Sequence, residues 1–543
     1  MDVEKSLPPA DVVENSGATQ LPEEKDQAAE LGVEATGNTR DARITYFGIF
    51  MLMFLIGIYT TMDAVIYYPI AEHFNDMQRA NWLINSYLIT TTSMQPIYGK
   101  CSDIVGRVPT MAAASFFLFI GSLLCAVSNS MDMLIASRAI QGIGSAGMYT
   151  IVNVVIGDLF TERERGKLMG YSSSAWSLAS AAAVIIGGAI VQLSSWRVAF
   201  WLNVAISVAV SGVVLYFLHL PKPSGTRKEK LNRIDFGGSF ISLASIVLVL
   251  LALSWGGQQY SWSSARVICC IVFGALIGVL FVIYEAFYAK EPILPMYLFK
   301  TRNIALAVFG HLFFGAVTNA PLIFIPQWAL VVKNTTPITS GLYTLPFSLA
   351  EGVSVVINGI IVTKTGRYRE CLWFGSICLL VGSSLLIMLG RESPVGHVIG
   401  FMIICGFGFG ACIQTLILTA QVGAEGKDMA TTTTACIFMR SLGSMLVVAV
   451  LSSVSENKRK VEFANAIAKF PDFASAITQV SYNQSLIHQL SLPQEVYNQI
   501  LDVFMKSMRA AFIALVPFSV LYVLIVAGVE HKRLNTVKKV TIQ

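Results

Sequence analysis

Five ionisable side chains stand inside long apolar runs: Asp63, Arg138, His311, Glu351 and Arg440, with the amide of Gln141 one turn after Arg138. A charge in such a setting is retained when it pairs, binds a ligand or relays a proton. Asp63 lies about seven residues before the end of its run and Arg138 about seven after the start of its own. At 1.5 Å per residue each is roughly 10 Å deep, so acid and base are level. Two readings of that match stand open: partners that exchange when a proton or cationic ligand arrives, or a static pair that holds two helices together. Glu351 and Arg440 fall near the middle of their runs. Each is either part of a ligand or proton site or a structural partner, and His311, titratable near neutrality when exposed, is equally readable as a satisfied core histidine.

The elements that hold these groups follow from composition. With 54% hydrophobic and 13% charged residues and a mean hydropathy of +0.63, the chain lies far outside the soluble balance. Fourteen apolar runs approach the roughly 20 residues needed to cross hydrocarbon. They span 46–70, 82–98, 109–128, 131–157, 167–193, 196–218, 236–254, 265–288, 303–329, 339–363, 370–390, 396–421, 429–454 and 509–530. With no water to satisfy exposed backbone, each must be a helix. The fold class is therefore all-α integral membrane. Residues 1–45, acidic and without periodicity, read as a disordered cytoplasmic tail, and 531–543 as a second one.

Several function classes drop out. A net charge of +5, spread over short connections, makes no track for a phosphate backbone, so no nucleic acid partner is expected. The nine cysteines have no metal-ligand spacing and read as small buried hydrophobes. Without a Walker loop, zinc triplet or nucleophile elbow, neither an enzyme nor a cofactor nor ATP-driven work is expected. Energy then has to come from a gradient.

Cations set the orientation. With the N-terminus inside, the inner connections hold seventeen: Lys100, Arg107, Arg163, Arg165, Lys167, Lys222, Arg227, Lys228, Lys230, Arg233, Lys290, Lys300, Arg302, Lys364, Arg367, Arg369 and Lys427. The short outer ones hold five: Arg79, Arg197, Arg266, Lys333 and Arg391. This bias puts both termini in the cytosol. Two glycosylation sequons, at Asn334 and Asn483, both fall in outer connections.

The chain also repeats itself. Gly99, Gly106 and Arg107 recur as Gly359, Gly366 and Arg367, an offset of 260 that carries spans one to five onto spans nine to thirteen. Two six-helix halves result, 46–218 and 303–530, joined through a cytoplasmic linker at 219–235 and an additional helix pair at 236–288. An outer loop, 455–508, precedes the last span. Duplicated halves with a site between them near the midplane are the architecture of alternating-access transporters.

"GKCSDIVGR" (99–107) resembles the loop signature of the major facilitator superfamily, and "RAIQGIGSAG" (138–147) its fourth-span motif. "SSWRVAFWLN", "EPILPMYLF", "TSGLYTLPF" and "MRSLGS" resemble further segments of its fourteen-span drug:proton antiporter branch. That branch includes fungal multidrug and toxin efflux pumps and vacuolar basic amino acid transporters. One departure stands out. The family's fifth span usually reads Gly-Pro, two residues, Gly-Gly, whereas "AVIIGG" (183–188) keeps only Gly187 and Gly188. Without proline that helix keeps its hydrogen bond and bends less.

The resemblance implies a proton-coupled secondary transporter that exports or sequesters small amphipathic or cationic organic compounds. Alternatives are a vacuolar importer of basic amino acids and, with only short tails to signal through, a transport-inactive sensor. It implies a cavity containing Asp63, Arg138, Gln141, Glu351, Arg440 and His311, with Trp82, Tyr87, Tyr149, Trp176 and Gln414 as candidate liners. Gly99, Lys100, Asp103, Gly106 and Arg107 form the gating loop, whose ion pairs latch the two halves; the cations there also retain the loop inside. Gly142, Gly144, Gly187 and Gly188 permit close helix packing. The expected partners are a small-molecule substrate, protons and the lipid bilayer of a plasma or vacuolar membrane, with the monomer as the working unit.

Topology is directly testable. Reporters fused after residue 260 or within 460–500 should read the outer or luminal side, and those at 225 or 366 the cytosol. A cytosolic reading at 460–500 would overturn the fourteen-span arrangement.

Overall fold

The computed structural model describes residues 39–76, 79–160, 162–217, 226–257, 259–424, 428–482, 487–488, 490, 492–532 and 534. Residues 1–38 of the acidic tail, most of the C-terminal tail, residues 218–225 of the linker and Asn483 lie outside the described residues. The side chain of Asp63 lies outside them too, although its backbone is helical.

Among the described residues fourteen helices reach 18 residues or more. They are α1 (Thr39–His73), α2 (Ala80–Val105), α3 (Arg107–Ala126), α4 (Met131–Leu159), α5 (Glu162–Leu193), α6 (Arg197–Phe217), α7 (Phe236–Trp255), α8 (Ala265–Phe287), α9 (Arg302–Val332), α10 (Leu345–Thr365), α11 (Tyr368–Leu385), α12 (Val395–Gly423), α13 (Met429–Lys469) and α14 (Gln494–Ala527). Each coincides with one of the fourteen apolar runs. Eleven helices are long and apolar enough to cross a membrane, and shorter apolar stretches mark α1 and α6. Helix α2 falls short for a different reason. It carries Asn85, Ser86, a Thr90–Thr92 run, Ser93 and Gln95, and Ser86, Thr92, Ser93 and Gln95 are buried. Its polar face points into protein, where Ser93 is satisfied by the Ile89 carbonyl of the preceding turn, while the Ser86 hydroxyl meets no partner among the described residues.

Each half is built around a central helix pinched between two others through glycine. In the N-terminal half a Cβ on Gly142 of α4 would fall on Thr90 of α2, and one on Gly144 would fall on Leu118 of α3. In the C-terminal half α12 repeats the device: Gly410 abuts the backbone at Glu351 of α10, and Gly408 that at Leu379 of α11. With no hydrophobic drive between helices in lipid, such close backbone contact is what lets dispersion hold them. The repeated loop glycines, Gly106 and Gly366, have φ of 115° and 70°. Both turn the chain through backbone that a side chain would strain, which accounts for their recurrence at the 260 offset.

Helices α7 and α8 lie against the seam where α2 and α13 meet. On the face away from the cationic loops, Asn85 of α2 donates to Ser254 of α7 at 2.6 Å, and Trp262, in the α7–α8 turn, donates to Ser453 of α13 at 2.7 Å. The additional pair is thus fastened to both halves. Most of α8 is exposed, including Cys269, so that cysteine departs from the buried role expected of all nine.

The segment 455–508, expected as a loop, is folded. Helix α13 continues to Lys469, a short helix follows at Ala474–Tyr482, and α14 already begins at Gln494. Phe463, Ile477, Val480, Val496 and Phe504 form a small core that also takes in Val331 at the end of α9. Glu462 accepts from Lys506 at 2.9 Å and pairs with Lys458 at 3.0 Å, while His488 reaches the Val331 carbonyl at 2.9 Å. The apolar positions 463, 466, 467 and 470 mark one helical face, a pattern that a search for continuous 20-residue apolar runs passes over.

The tightest contact joins α9 to α13, where a Cβ on Gly443 would land on the carbonyl oxygen of Leu312. Gly443→Val should therefore lower the unfolding temperature in detergent, at a cost of about 1–3 kcal/mol or more. Gly400→Ala, at a position with no atom within 4 Å of the added carbon, should leave it unchanged or slightly raised. Equal effects from the two would contradict this packing.

Candidate functional site

Two polar clusters occupy the bundle interior, and they differ in which helices they join. The first surrounds Arg138 of α4. Its Nε donates to the Leu83 carbonyl of α2 at 2.9 Å, one Nη donates to Gln141, and the guanidinium lies 4.5 Å over the Tyr87 ring. Gln141 in turn donates to Ser122 of α3 at 3.3 Å, and the Tyr87 and Ser145 hydroxyls share a hydrogen bond of 2.6 Å. Every one of these partners belongs to the N-terminal half. Arg138 and Gln141 are 5% and 0% exposed, so this is a buried, largely satisfied network that ties α2, α3 and α4 together.

The second cluster crosses from one half to the other. Arg440 of α13 donates to the Tyr149 hydroxyl of α4 at 2.6 Å, with its guanidinium 5.4 Å from the ring centroid. Trp176 of α5 meets the Tyr149 ring edge-on at 5.5 Å. The Glu351 carboxylate of α10 lies beside Ser177 of α5 and within electrostatic reach of Arg440. Gln414 of α12 donates to Ser173, and Ser174 donates to the Gly352 carbonyl at 2.9 Å. These residues lie roughly 15–20 Å in from the helix ends on the cationic face, counted at 1.5 Å per residue, so the cluster sits near mid-membrane.

Helical period explains who faces inward. On α10, Phe347, Glu351, Ser354, Val355, Asn358 and Val362 share one buried face, turned toward α5 and α12. On α5, Ser174 and Ser177 are small enough for Gly352 of α10 to approach closely, while Ser180 accepts from Thr61 of α1 at 3.0 Å. Asn358, Gly359, Gln414 and Thr415 line a narrow cleft between α10 and α12 that opens from the same cluster. His311 of α9 is 1% exposed; its Nδ1 faces the Ala307 carbonyl at 2.8 Å, and its Nε2 meets no hydrogen-bonding partner among the described residues. With Nδ1–H donating, Nε2 is left as an acceptor inside the bundle.

The gating loop takes a form the sequence does not announce. Arg107 pairs with Asp103 at 2.5 Å and with Asp158, at the end of α4, at 2.9 Å, and also donates to Ser102. All four belong to the N-terminal half, so this ion-pair group closes α2, α3 and α4 on themselves and does not latch one half to the other. The repeat has no copy of it, since the offset of 260 brings Asp103 and Asp158 onto Thr363 and Leu418. What crosses the seam from this loop is Gly99, against which Thr434 of α13 packs directly. Beside it Gly157 of α4 packs against Gln421 and Met429.

Lys100 faces outward from the same turn and pairs with Glu291 at 3.4 Å, on the connection between α8 and α9; Arg233 meets the same carboxylate at 2.5 Å. Burial pushes the Glu291 carboxyl up, but hydrogen bonds and charge from Arg233 and Lys100 outweigh it and hold the group below its ordinary value. A carboxylate lowered in this way keeps its pairing at neutral pH and loses it only in acid, as pH falls through the lowered value. Asp158, Glu291 and the α5 serines were not singled out from sequence, because their partners lie far away along the chain.

The remaining expected residues fall in simpler places. Gly187 and Gly188 are buried in α5, which runs unbroken through the position where proline is absent. Asn334 is exposed on the turn after α9, with φ of 51°. Among the described residues no group of His, Cys, Asp and Glu is arranged to hold a metal ion.

Residues 45–448 match the family model described as Major Facilitator Superfamily. The efflux pump dotC of Dothistroma septosporum is 33% identical over 453 residues, which cover 83% of this chain and 77% of that protein. The efflux pump FUS6 of Gibberella moniliformis is 29% identical over 507 residues, covering 92% and 89%. Among solved structures, the human organic anion transporter MFSD10 (TETRAN) superimposes with a TM-score of 0.60 at 16% identity, covering 89% of this chain and 99% of that one. A bacterial homolog of the human lysosomal transporter Spinster, inward-facing and unoccupied, gives 0.57 at 15%, covering 92% and 99%. At such identities the structural likeness speaks for the fold alone. With its helices, its repeat and its motifs in agreement with the family match, the chain is an integral membrane transporter, not an enzyme, and belongs to the major facilitator superfamily.

Proposed function

We propose that the protein is a proton-driven exporter of small amphipathic or cationic organic compounds, working by alternating access to the seam between its halves. One observation carries this reading: Glu351, a carboxylate buried where the halves meet, lies beside Ser177 of the opposite half within reach of Arg440. Ionised, it offers a negative charge to Arg440 or to a cationic substrate. Protonated, it offers neither charge nor a second acceptor. Proton and substrate therefore compete for one group, which is the requirement for exchange. Tyr149 and Trp176 supply aromatic faces for an amphipathic cation. The relatives dotC and FUS6, both named efflux pumps, support export.

In this reading the cationic face is cytosolic, and the contacts of Gly99 with Thr434 and of Gly157 with Met429 are those that part when the halves rock. The Asp103–Arg107–Asp158 group keeps α2, α3 and α4 moving as one body. Arg138 serves the same body, with Asp63 as the second carboxylate for coupling. A basic amino acid would satisfy Glu351 through its own side-chain cation, so import into a vacuole is the competing reading; the direction of flux separates the two.

Glu351→Gln keeps the shape of the side chain but cannot exchange a proton. In reconstituted vesicles proton-driven flux should fall by about tenfold or more, while substrate counterflow and the unfolding temperature are kept. Full flux would sink the role of Glu351 and leave Asp63 to carry it.

Arg107→Ala leaves Asp103 and Asp158 facing each other without their cation, whereas Asp103→Asn leaves the pair with Asp158 intact. Turnover should drop in both variants and further in Arg107→Ala, with membrane insertion preserved. Unchanged turnover in both would reduce the loop to a topological signal.

A further inference from the structure

A crevice lies where the additional helix pair meets the seam between the halves. Its walls come from Pro96 of α2, Ser242 of α7, Phe281 of α8, Leu294 of the α8–α9 connection, Val308 of α9 and Ala435 of α13. The lining is almost wholly apolar, and its hydroxyls are spent locally: Ser242 donates to the Ser239 carbonyl and Thr434 to that of Ala430. Ser242 is six residues inside the Phe236 end of α7, Phe281 six from the Phe287 end of α8, and Val308 six inside the Arg302 end of α9. At 1.5 Å per residue the crevice is roughly 9 Å deep on the cationic side, within the hydrocarbon of that leaflet. A molecule that fills it from its surroundings is a hydrocarbon chain.

The rim above it is basic. Among the described side chains, the connections that frame the additional pair hold Lys228, Lys230, Arg233, Lys290, Lys300 and Arg302, the last paired with Glu530, against Glu229, Asp235 and Glu291. Each acid there has at least one oxygen paired, although Asp235 Oδ2 and Glu285 Oε1 meet no hydrogen-bonding partner among the described residues. Asp235 accepts from the Gly238 amide, and Glu291 is shared by Arg233 and Lys100. Glu285, in the last turn of α8, accepts from the Leu294 amide. Arg233 keeps half of its side chain exposed. Basic rims over apolar slots between membrane helices suit anionic lipid headgroups.

We propose that this crevice binds one acyl chain of an anionic phospholipid, with the headgroup phosphate against Arg233 and its basic neighbours. Because the walls come from both halves and from the additional pair, the lipid acts as a wedge. It favours the arrangement in which α2 and α13 are together at this face, for only that arrangement completes the slot.

The test uses the full chain in nanodiscs of phosphatidylcholine with a minor fraction of either brominated-chain phosphatidylserine or brominated-chain phosphatidylcholine. Phe281→Trp places a reporter in the wall, read as the difference in bromine quenching from the unsubstituted chain. Ile246→Trp, on α7 in the same wall, serves if the first variant does not fold. Quenching should be several-fold stronger with the serine lipid, and Lys228→Gln with Arg233→Gln should remove that preference. Ala435→Phe, which fills the slot, should lower quenching by the serine lipid to the level of the choline lipid. Equal quenching by the two lipids from the start would mean only unselective annular lipid and would overturn the proposal. So would a preference that persists in the charge-removed variant.

Discussion

A charge inside hydrocarbon has no water to turn to, so each one must find its partner in the protein. This chain meets that requirement in two ways, and its mechanics follow from the difference. Arg138 finds a carbonyl, an amide and an aromatic face within its own half. Arg440 finds Tyr149 in the other half. The first solution is compatible with a rigid body. The second has to break and reform whenever the halves separate, and it therefore places interaction energy where motion can draw on it.

Glycine makes such separation feasible. Helices α4 and α12 are locked inside their halves by backbone contact with both neighbours, and α9 is locked to α13 in the same way. Such close backbone packing leaves little room for one helix to shift against another within a half. There the contacts are of another kind: serines of α5 against the backbone of α10, Gln414 on Ser173, Thr434 on Gly99. These are small, polar and replaceable by water once the seam opens.

The additional pair complicates the picture of two independent halves. It is fastened to α2 through Asn85 and to α13 through Trp262, and the connection that follows it is tied to Lys100. Any rocking of the halves must shear or release one of these contacts. The folded segment at 455–508 is different, because its core rests on α9, α13 and α14, all of the C-terminal half.

Much of this was legible in the chain itself. Apolar runs of about twenty residues define the fourteen helices because hydrocarbon thickness is a fixed length and backbone must be satisfied within each crossing. The 260-residue offset exposed the repeat, since Gly106 and Gly366 occupy turns that demand positive φ in both halves. Charge inside apolar runs marked Arg138, Glu351 and Arg440 as residues with work to do. Pairing was another matter. Sequence puts Arg107 next to Asp103, but only the fold brings in Asp158, from 51 residues away, and so turns an expected latch between halves into a brace within one. Likewise Glu351 and Arg440 look equivalent to Arg138 along the chain, yet α5 and α4 bring Ser177 and Tyr149 to them from across the seam. Local periodicity determines which face of a helix is buried; which neighbour that face meets depends on how fourteen helices share one volume, and no local signal records it.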